Sequence, residues 1–388
     1  MKVLRLMLGI VCCSLLFACS DNLDEPEEPV VVPELTIFLH QPYGIDVGYL
    51  NGDLSEIDAA MKKHSELRKV NILYFRSNTI SGSLYKKYYD KDAQGQVVIR
   101  DSLLKSYPFS SVDYTTYSGL KTILSDVISI GKTEKIGMVI GCHSNGWLPT
   151  LEDKSSRAFG TTRQDKYDTT FKTLSKAIES LGKKFEFVLT DCCLCQNIEV
   201  AYDMRNTCKY LIGSVTEIGS SGQNYEKLIY RLYKEDYAGT CDDSYETYYK
   251  VTSWNSATLS VVDCSQVDNM AAVMKRIYKT SKDVERTELQ VFDGYDYASN
   301  FGYNVFYDFA EYVSKSCTES SLLADFNAVM SKLVTKNVYT PTYNSAFFPP
   351  QLSGTGRKIR TCCGLSCSDP CTDRYASLKE TNWYKATH

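Results

Sequence analysis

From residue 35 onward the chain alternates short apolar runs with longer, half-apolar stretches. The runs at 35–39, 70–75, 135–140, 185–189 and 210–214 are short and rich in β-branched and aromatic side chains, which predicts buried strands. Apolar residues recur at three- and four-residue intervals over 53–64, 117–130 and 167–181, which predicts amphipathic helices; in the first, Leu54, Ile57 and Met61 share one face. Residues 83–100 alternate on either side of a polar turn at 90–95 and read as a hairpin. Further helices are predicted from near Cys195 to Arg205 and over 225–233, 267–282 and 322–333. Strand–helix–strand alternation implies an α/β fold, a mostly parallel central sheet with helices on both faces. No repeat and no boundary between two domains is visible within 35–388.

The first residues say where the chain works. Lys2 and Arg5 open it, and an apolar stretch from Leu6 to Leu16 follows, too short for a comfortable membrane span; residues 1–18 read as a secretory signal. The stretch ends in Leu16-Phe17-Ala18-Cys19, which resembles a bacterial lipobox, where the cysteine becomes the first residue and carries a lipid. Residues 20–29 are acidic and interrupted by proline, so they cannot bury a core. The expected organisation is a signal at 1–18, a lipidated Cys19 with an acidic tether over 19–34, and one globular domain over 35–388. The acidic leader resembles that of surface lipoproteins in Bacteroidetes-type bacteria. The expected location is the outer membrane or cell surface, with the lipid as the only membrane contact.

Charge and cysteines narrow the class. The formal charge is −4, and losing Lys2 and Arg5 makes it −6. No basic block or basic-aromatic stripe occurs, so nucleic acid is excluded as a partner. Of the 15 cysteines, twelve remain without Cys12, Cys13 and Cys19. In an exported chain an even set reads as disulfides; mostly free, buried thiols are the alternative. Cys362, Cys363, Cys367 and Cys371 crowd together, but their irregular spacing and the lack of histidine argue against a zinc site, and no metal is expected.

Two segments carry chemistry. One apolar run stops at Gly141-Cys142-His143-Ser144-Asn145-Gly146-Trp147; the other stops at Asp191-Cys192-Cys193-Leu194-Cys195. Ligands of open α/β sheets sit beyond the carboxyl ends of the strands, so His143 and Cys193 can meet there as base and nucleophile. The rival base is His40, which also follows a strand; His64 falls on a helix face and His388 near the last residue. A helix starting just after Cys193 would favour its thiolate.

These segments resemble the two signatures of the clostripain family of cysteine peptidases, which share the caspase-type α/β/α sandwich. The first is His143-Ser144-Asn145-Gly146-Trp147; the second is Asp191-Cys192-Cys193-Leu194-Cys195 followed by Glu199-Val200-Ala201-Tyr202. Weaker similarity covers nearly all of 35–388. The resemblance implies a clostripain-like endopeptidase acting on proteins or peptides, with a His143/Cys193 dyad and backbone N–H groups of Gly146 and Cys193 as oxyanion donors. It implies cleavage after arginine or lysine, with Asp191 in the pocket and Trp147 beside it. Many relatives place a second acid in a turn where this chain has Ser221, so the pocket departs from the family. The alternative is a catalytically idle member that serves as a surface binding protein. Self-cleavage, a family habit, would fall in the polar loop 149–166 at Lys154, Arg157, Arg163 or Lys166. Calcium dependence is known in the family, but no contiguous acidic calcium loop is visible, so no cofactor is expected.

Overall fold

The computed structural model describes residues 31–42, 47–77, 80–148, 159–160, 169–248, 254–293, 305–345, 356–370 and 375–388. The chain divides into two units, Met1–Val32 and Pro33–His388. Only residues 31 and 32 of the first are described, so the expected signal, Cys19 and most of the tether lie outside the described residues, as do Cys371 and the four candidate cleavage positions. No described helix is long and apolar enough to cross a membrane.

In chain order the elements are β1 (Leu35–Gln41), α1 (Val47–Lys63), β2 (Val70–Ser77), β3 (Ser81–Lys91), β4 (Val97–Pro108), α2 (Tyr117–Gly131), β5 (Lys135–Gly141), β6 (His143–Ser144) and β7 (Phe159–Gly160). They continue as α3 (Phe171–Glu179), β8 (Phe185–Asp191), α4 (Ile198–Met204), β9 (Cys208–Ser214), α5 (Tyr225–Tyr233), α6 (Tyr237–Glu246) and β10 (Thr258–Asp263). Then come α7 (Val267–Ile277), β11 (Tyr307–Asp308), α8 (Phe309–Ser316), α9 (Ser320–Leu333) and β12 (Val334–Tyr339). Nine strands form the main sheet in the order β12-β10-β9-β8-β5-β1-β2-β3-β4. The five from β9 to β2 run parallel, and an antiparallel pair flanks them on each side. The expected mostly parallel α/β sandwich is thus present, with the hairpin extending it at one edge.

Strand parity sorts the core. Every residue of β1 is buried, as a central parallel strand requires. Leu35, Ile37 and Leu39 pack under α1 and α5, together with Val139, Phe187 and Leu189. Phe38, Met138, Ile140 and Val188 face the other way, toward α2, α3, α4 and α7. β5 and β8 are so close on the α1 side that a methyl at Gly137 would meet the Phe187 ring at 2.1 Å. Helix α2 shows why these segments are helical: Leu120, Ile123, Leu124 and Val127 form one buried face, and the Thr116 side chain caps the start by accepting from the Gly119 N–H.

Several boundaries differ from expectation: α3 and α7 are shorter than the periodic stretches that mark them, the hairpin is longer, and two helix starts have identifiable reasons. α1 starts at Val47, before the apolar face that marks it in sequence. The helix expected from Cys195 begins at Ile198, because Asn197 holds extended backbone and its side chain accepts from the Val200 N–H. Gln196 is also pinned outside the helix, its side-chain amide donating to the Ser260 carbonyl at 3.1 Å and hydroxyl at 3.0 Å.

Candidate active site

β5 and β8 are parallel neighbours, with Gly141 opposite Asp191 in the ladder. The residues just beyond them are the two sequence segments, so both chemical signatures leave the sheet side by side. Gly146 makes the junction close. Its φ is +65°, and a methyl there would meet the Leu194 carbonyl oxygen at 2.6 Å, the Asn197 amide at 2.9 Å and the Phe306 ring at 2.9 Å. Only glycine supplies both the left-handed backbone and the space. Leu194 is also left-handed, at φ 60°, in the turn that carries Cys193. The Cys195 thiol donates to Ser144 Oγ at 3.2 Å, and the Asn197 amide donates to the Leu194 carbonyl at 2.8 Å. The loop carrying His143 is thereby fastened to the turn carrying Cys193.

His143 is exposed and pairs with Gly160 in the short β6–β7 ladder. Cys193 is half-buried. The Ile218 N–H donates to its sulfur at 3.4 Å, and its thiol approaches the Ile218 carbonyl at 3.8 Å. Burial pushes the thiol up, the negative charge of Glu217 pushes it further, and the Ile218 N–H opposes both. The anticipated helix N-terminus does not serve Cys193, since α4 begins five residues later. In this arrangement the Gly146 N–H donates to Ser144 Oγ at 3.0 Å. Trp147 is buried, its indole N–H donating to Ser368 Oγ at 2.8 Å. The Ser368 N–H in turn donates to Glu199 at 2.8 Å, tying the first signature to the second through a distant segment.

The rival histidine stands elsewhere. His40 lies inside β1, buried and stacked on Phe75 at 5.4 Å between ring centres, and burial pulls it down to about 3. His64 stacks on Tyr230, and His388 lies between the rings of Tyr278 and Tyr384.

Asp191 sits at the end of β8 on the α1/α5 side. Its Oδ2 accepts from the Gln223 N–H and from the Tyr225 hydroxyl, both at 3.0 Å. Burial lifts its carboxyl to about 6 against those two donors. Ser221 is exposed on the turn before Gln223 and carries no charge into the site. Sequence reasoning missed Tyr225, Glu217, Ile218 and Tyr248. The Tyr248 hydroxyl ties this turn down by donating to the Gly222 carbonyl at 2.5 Å. These are ordinary aromatic, acidic and apolar residues whose roles come from the fold.

Eleven described cysteines are free thiols. The sulfurs of Cys142 and Cys192 stand 3.6 Å apart in the buried layer behind the site, and those of Cys208 and Cys264 are equally close. Among the described residues no group of three or more histidine, cysteine, aspartate or glutamate side chains is arranged to hold a metal ion.

A half-buried thiol and an exposed imidazole on adjoining connections of an α/β/α sandwich are the parts of a cysteine-dependent hydrolase. Residues 46–353 match the model of the clostripain family. The chain belongs to that family and is a cysteine peptidase. The structure is similar to a secreted C11 cysteine protease from Bacteroides thetaiotaomicron, "iotapain", at 32% identity and a TM-score of 0.81, covering 92% of this chain and 100% of that one. It is also similar to a clostripain from B. thetaiotaomicron ATCC 29148 in complex with the peptide inhibitor BTN-VLTK-AOMK, at 36% identity and a TM-score of 0.53, over 58% of this chain and 98% of that one. An inactive zymogen C11 protease from Parabacteroides distasonis shares the fold, at 23% identity and a TM-score of 0.75, over 93% of this chain and 99% of that one. No match is found among curated proteins.

Proposed function

We propose that this cysteine peptidase is an endopeptidase that works through a His143/Cys193 dyad and prefers a basic residue before the cleaved bond. The observation that carries the reading is the fastening of the His143 loop to the Cys193 turn at Gly146, where the Leu194 carbonyl would stand 2.6 Å from any added methyl. In the proposed reaction the Cys193 proton passes to His143 and the thiolate attacks the scissile carbonyl. The C–N bond then breaks, with His143 returning the proton to the leaving amine, and water hydrolyses the acyl-enzyme. For Gly146 to serve the oxyanion its N–H must turn from Ser144, to which it now donates at 3.0 Å. The Ile218 backbone over the Cys193 sulfur must likewise give way to substrate. Self-cleavage in 149–166, after Lys154, Arg157, Arg163 or Lys166, is the proposed trigger for that opening, and no cofactor is assigned to any step.

Asp191, a buried carboxylate two residues before the nucleophile, supports the basic preference, whereas Trp147, expected beside it, is buried on the other side against Ser368. The inhibitor bound to the clostripain cited above has a lysine next to its reactive group, which fits the same preference. For location, the reading is export with an N-terminal lipid on Cys19, consistent with the secreted relative.

The test is cleavage of fluorogenic peptides varied at the residue before the bond, with Cys193→Ala and His143→Ala beside the unaltered protein. Loss of about 10³-fold or more in each variant, at unchanged melting temperature, is expected. Retained cleavage in Cys193→Ala would remove the dyad.

A further inference from the structure

The absence of an acid at Ser221 leaves Asp191 without its second carboxylate on that turn. The fold brings another one from a different direction. Gln41, Gly141 and Asp191 end three adjacent strands, β1, β5 and β8, and share the parity that faces α1 and α5. Asp53 comes from α1 and lies over this row, nine-tenths buried, accepting from the Gln41 side-chain amide at 3.2 Å. Tyr225 comes from α5, its hydroxyl bound to Asp191 and its backbone N–H donating to Glu56 of α1 at 2.7 Å.

This corner has acceptors without donors. Gln41 is fully buried, yet its Oε1 has no partner, and neither has Oδ1 of Asp191, which is also nine-tenths buried. Gly141 lies between them: a methyl there would sit at ordinary contact distances, 3.5 Å from the Tyr225 hydroxyl and 3.7 Å from Gln41, so the corner is closely packed and admits a larger group only when the site opens. The positive charge acting on Asp53 is Arg76, whose guanidinium is engaged with Asn51 at 3.1 Å rather than with either acid. Two carboxyls and an amide oxygen at one strand edge, with two of their oxygens unpartnered, call for a multi-donor cation.

We infer that Asp53, positioned by Gln41, is a second specificity-determining acid of the substrate pocket, supplied by α1 in place of the turn at Ser221, and that with Asp191 it seats the guanidinium or ammonium of the residue before the cleaved bond. The inference rests on the basic preference proposed above. It adds a residue and a route, because the acid arrives from the opposite end of the domain in sequence. Burial, then Asp191, then Glu56 lift the Asp53 carboxyl to about 8, so the empty corner holds fewer charges than carboxyls and an incoming cation restores the missing one.

The test measures binding apart from cleavage. Peptides differing only in arginine or its neutral isostere citrulline before the scissile bond are titrated by fluorescence anisotropy against three proteins, each first cut within 149–166 by limited trypsin treatment in place of self-cleavage: Cys193→Ala alone, with Asp53→Asn, and with Asp53→Glu. The parent is expected to prefer the arginyl peptide by at least about tenfold. Asp53→Asn should reduce that preference by about tenfold with citrullinyl affinity unchanged, and Asp53→Glu should keep part of it. An unchanged preference in Asp53→Asn, or equal loss for both peptides, overturns the inference. A parent with no preference overturns it together with the basic pocket. A parent preference that Asp53→Asn reduces, beside no cleavage by the unaltered protein, upholds it and counts against the proposed reaction alone.

Discussion

The two sides of the sheet's carboxyl edge have opposite chemistry. On the α1/α5 side lie Gln41, Asp53, Asp191 and Tyr225, a corner of buried oxygen acceptors. On the other side lie Cys142, Cys192 and Cys195, a layer of buried sulfur with Ser144 as its polar member. Because successive residues of a strand point to opposite faces, one step from Asp191 to Cys192 crosses from one chemistry to the other. Cys193, past the end of the strand, is half-buried and packs at the margin of the sulfur side. The contrast teaches that under the proposed function the recognising acids and the reacting thiol can be tuned separately, since their supports touch different helices.

The sharpest way to break this separation is at the seam. Gly146→Ala adds a methyl against the Leu194 carbonyl and demands φ near +65° of a non-glycine residue. It is expected to cost about 1–3 kcal/mol in stability, and to depress cleavage of arginyl and citrullinyl peptides alike by roughly 100-fold, seen in parallel melting and rate measurements. Next in size, Asp191→Asn keeps the shape of the acceptor corner and removes its charge. Cleavage of arginyl peptides should fall about 30-fold while citrullinyl peptides change less than about threefold, with alkylation of Cys193 by iodoacetamide unaffected. Comparable losses on both peptides would mean that Asp191 supports the turn rather than the substrate.

The smallest effect is one of pH. Burial raises Asp191 to about 6 and Asp53 to about 8, so each is neutral below its value and charged above it. The arginine-to-citrulline ratio of kcat/KM should therefore climb from pH 5 to pH 9, and the ratio cancels the titration of Cys193. In the unbound protein the sign for stability is the reverse. A carboxyl raised above its unfolded value favours the fold at low pH, and that contribution is lost as pH rises through about 6 for Asp191 and about 8 for Asp53. A ratio that is flat with pH would show that neither acid meets the substrate charge.

The five parallel strands were legible as apolar runs, the hairpin as an alternation and most helices as periodic faces, whereas β12, α6 and α8 were not anticipated; the segments around His143 and Cys193 stood out because reactive residues follow apolar runs. The onset of α4 was not legible. Gln196 and Asn197 look like helix residues until their side chains are seen bonding to Ser260 and to the Val200 N–H. Asp53 was visible only as a polar position on α1, since nothing local says that this part of α1 meets the end of β1. Trp147 could be singled out, but its partner Ser368 could not, because that contact joins residues 221 positions apart and exists only once the chain between them has folded.

That last contact orders events in time. A ribosome adding about 5–20 residues per second completes both His143 and Cys193 well before it reaches Ser368, and needs roughly ten to forty-five seconds to travel from Trp147 to its brace. Throughout that interval the loop after β5 lacks the hydroxyl that holds its indole and the N–H that meets Glu199. A growing chain therefore carries the parts of a peptidase in an unbraced form until the segment around Ser368 has been made.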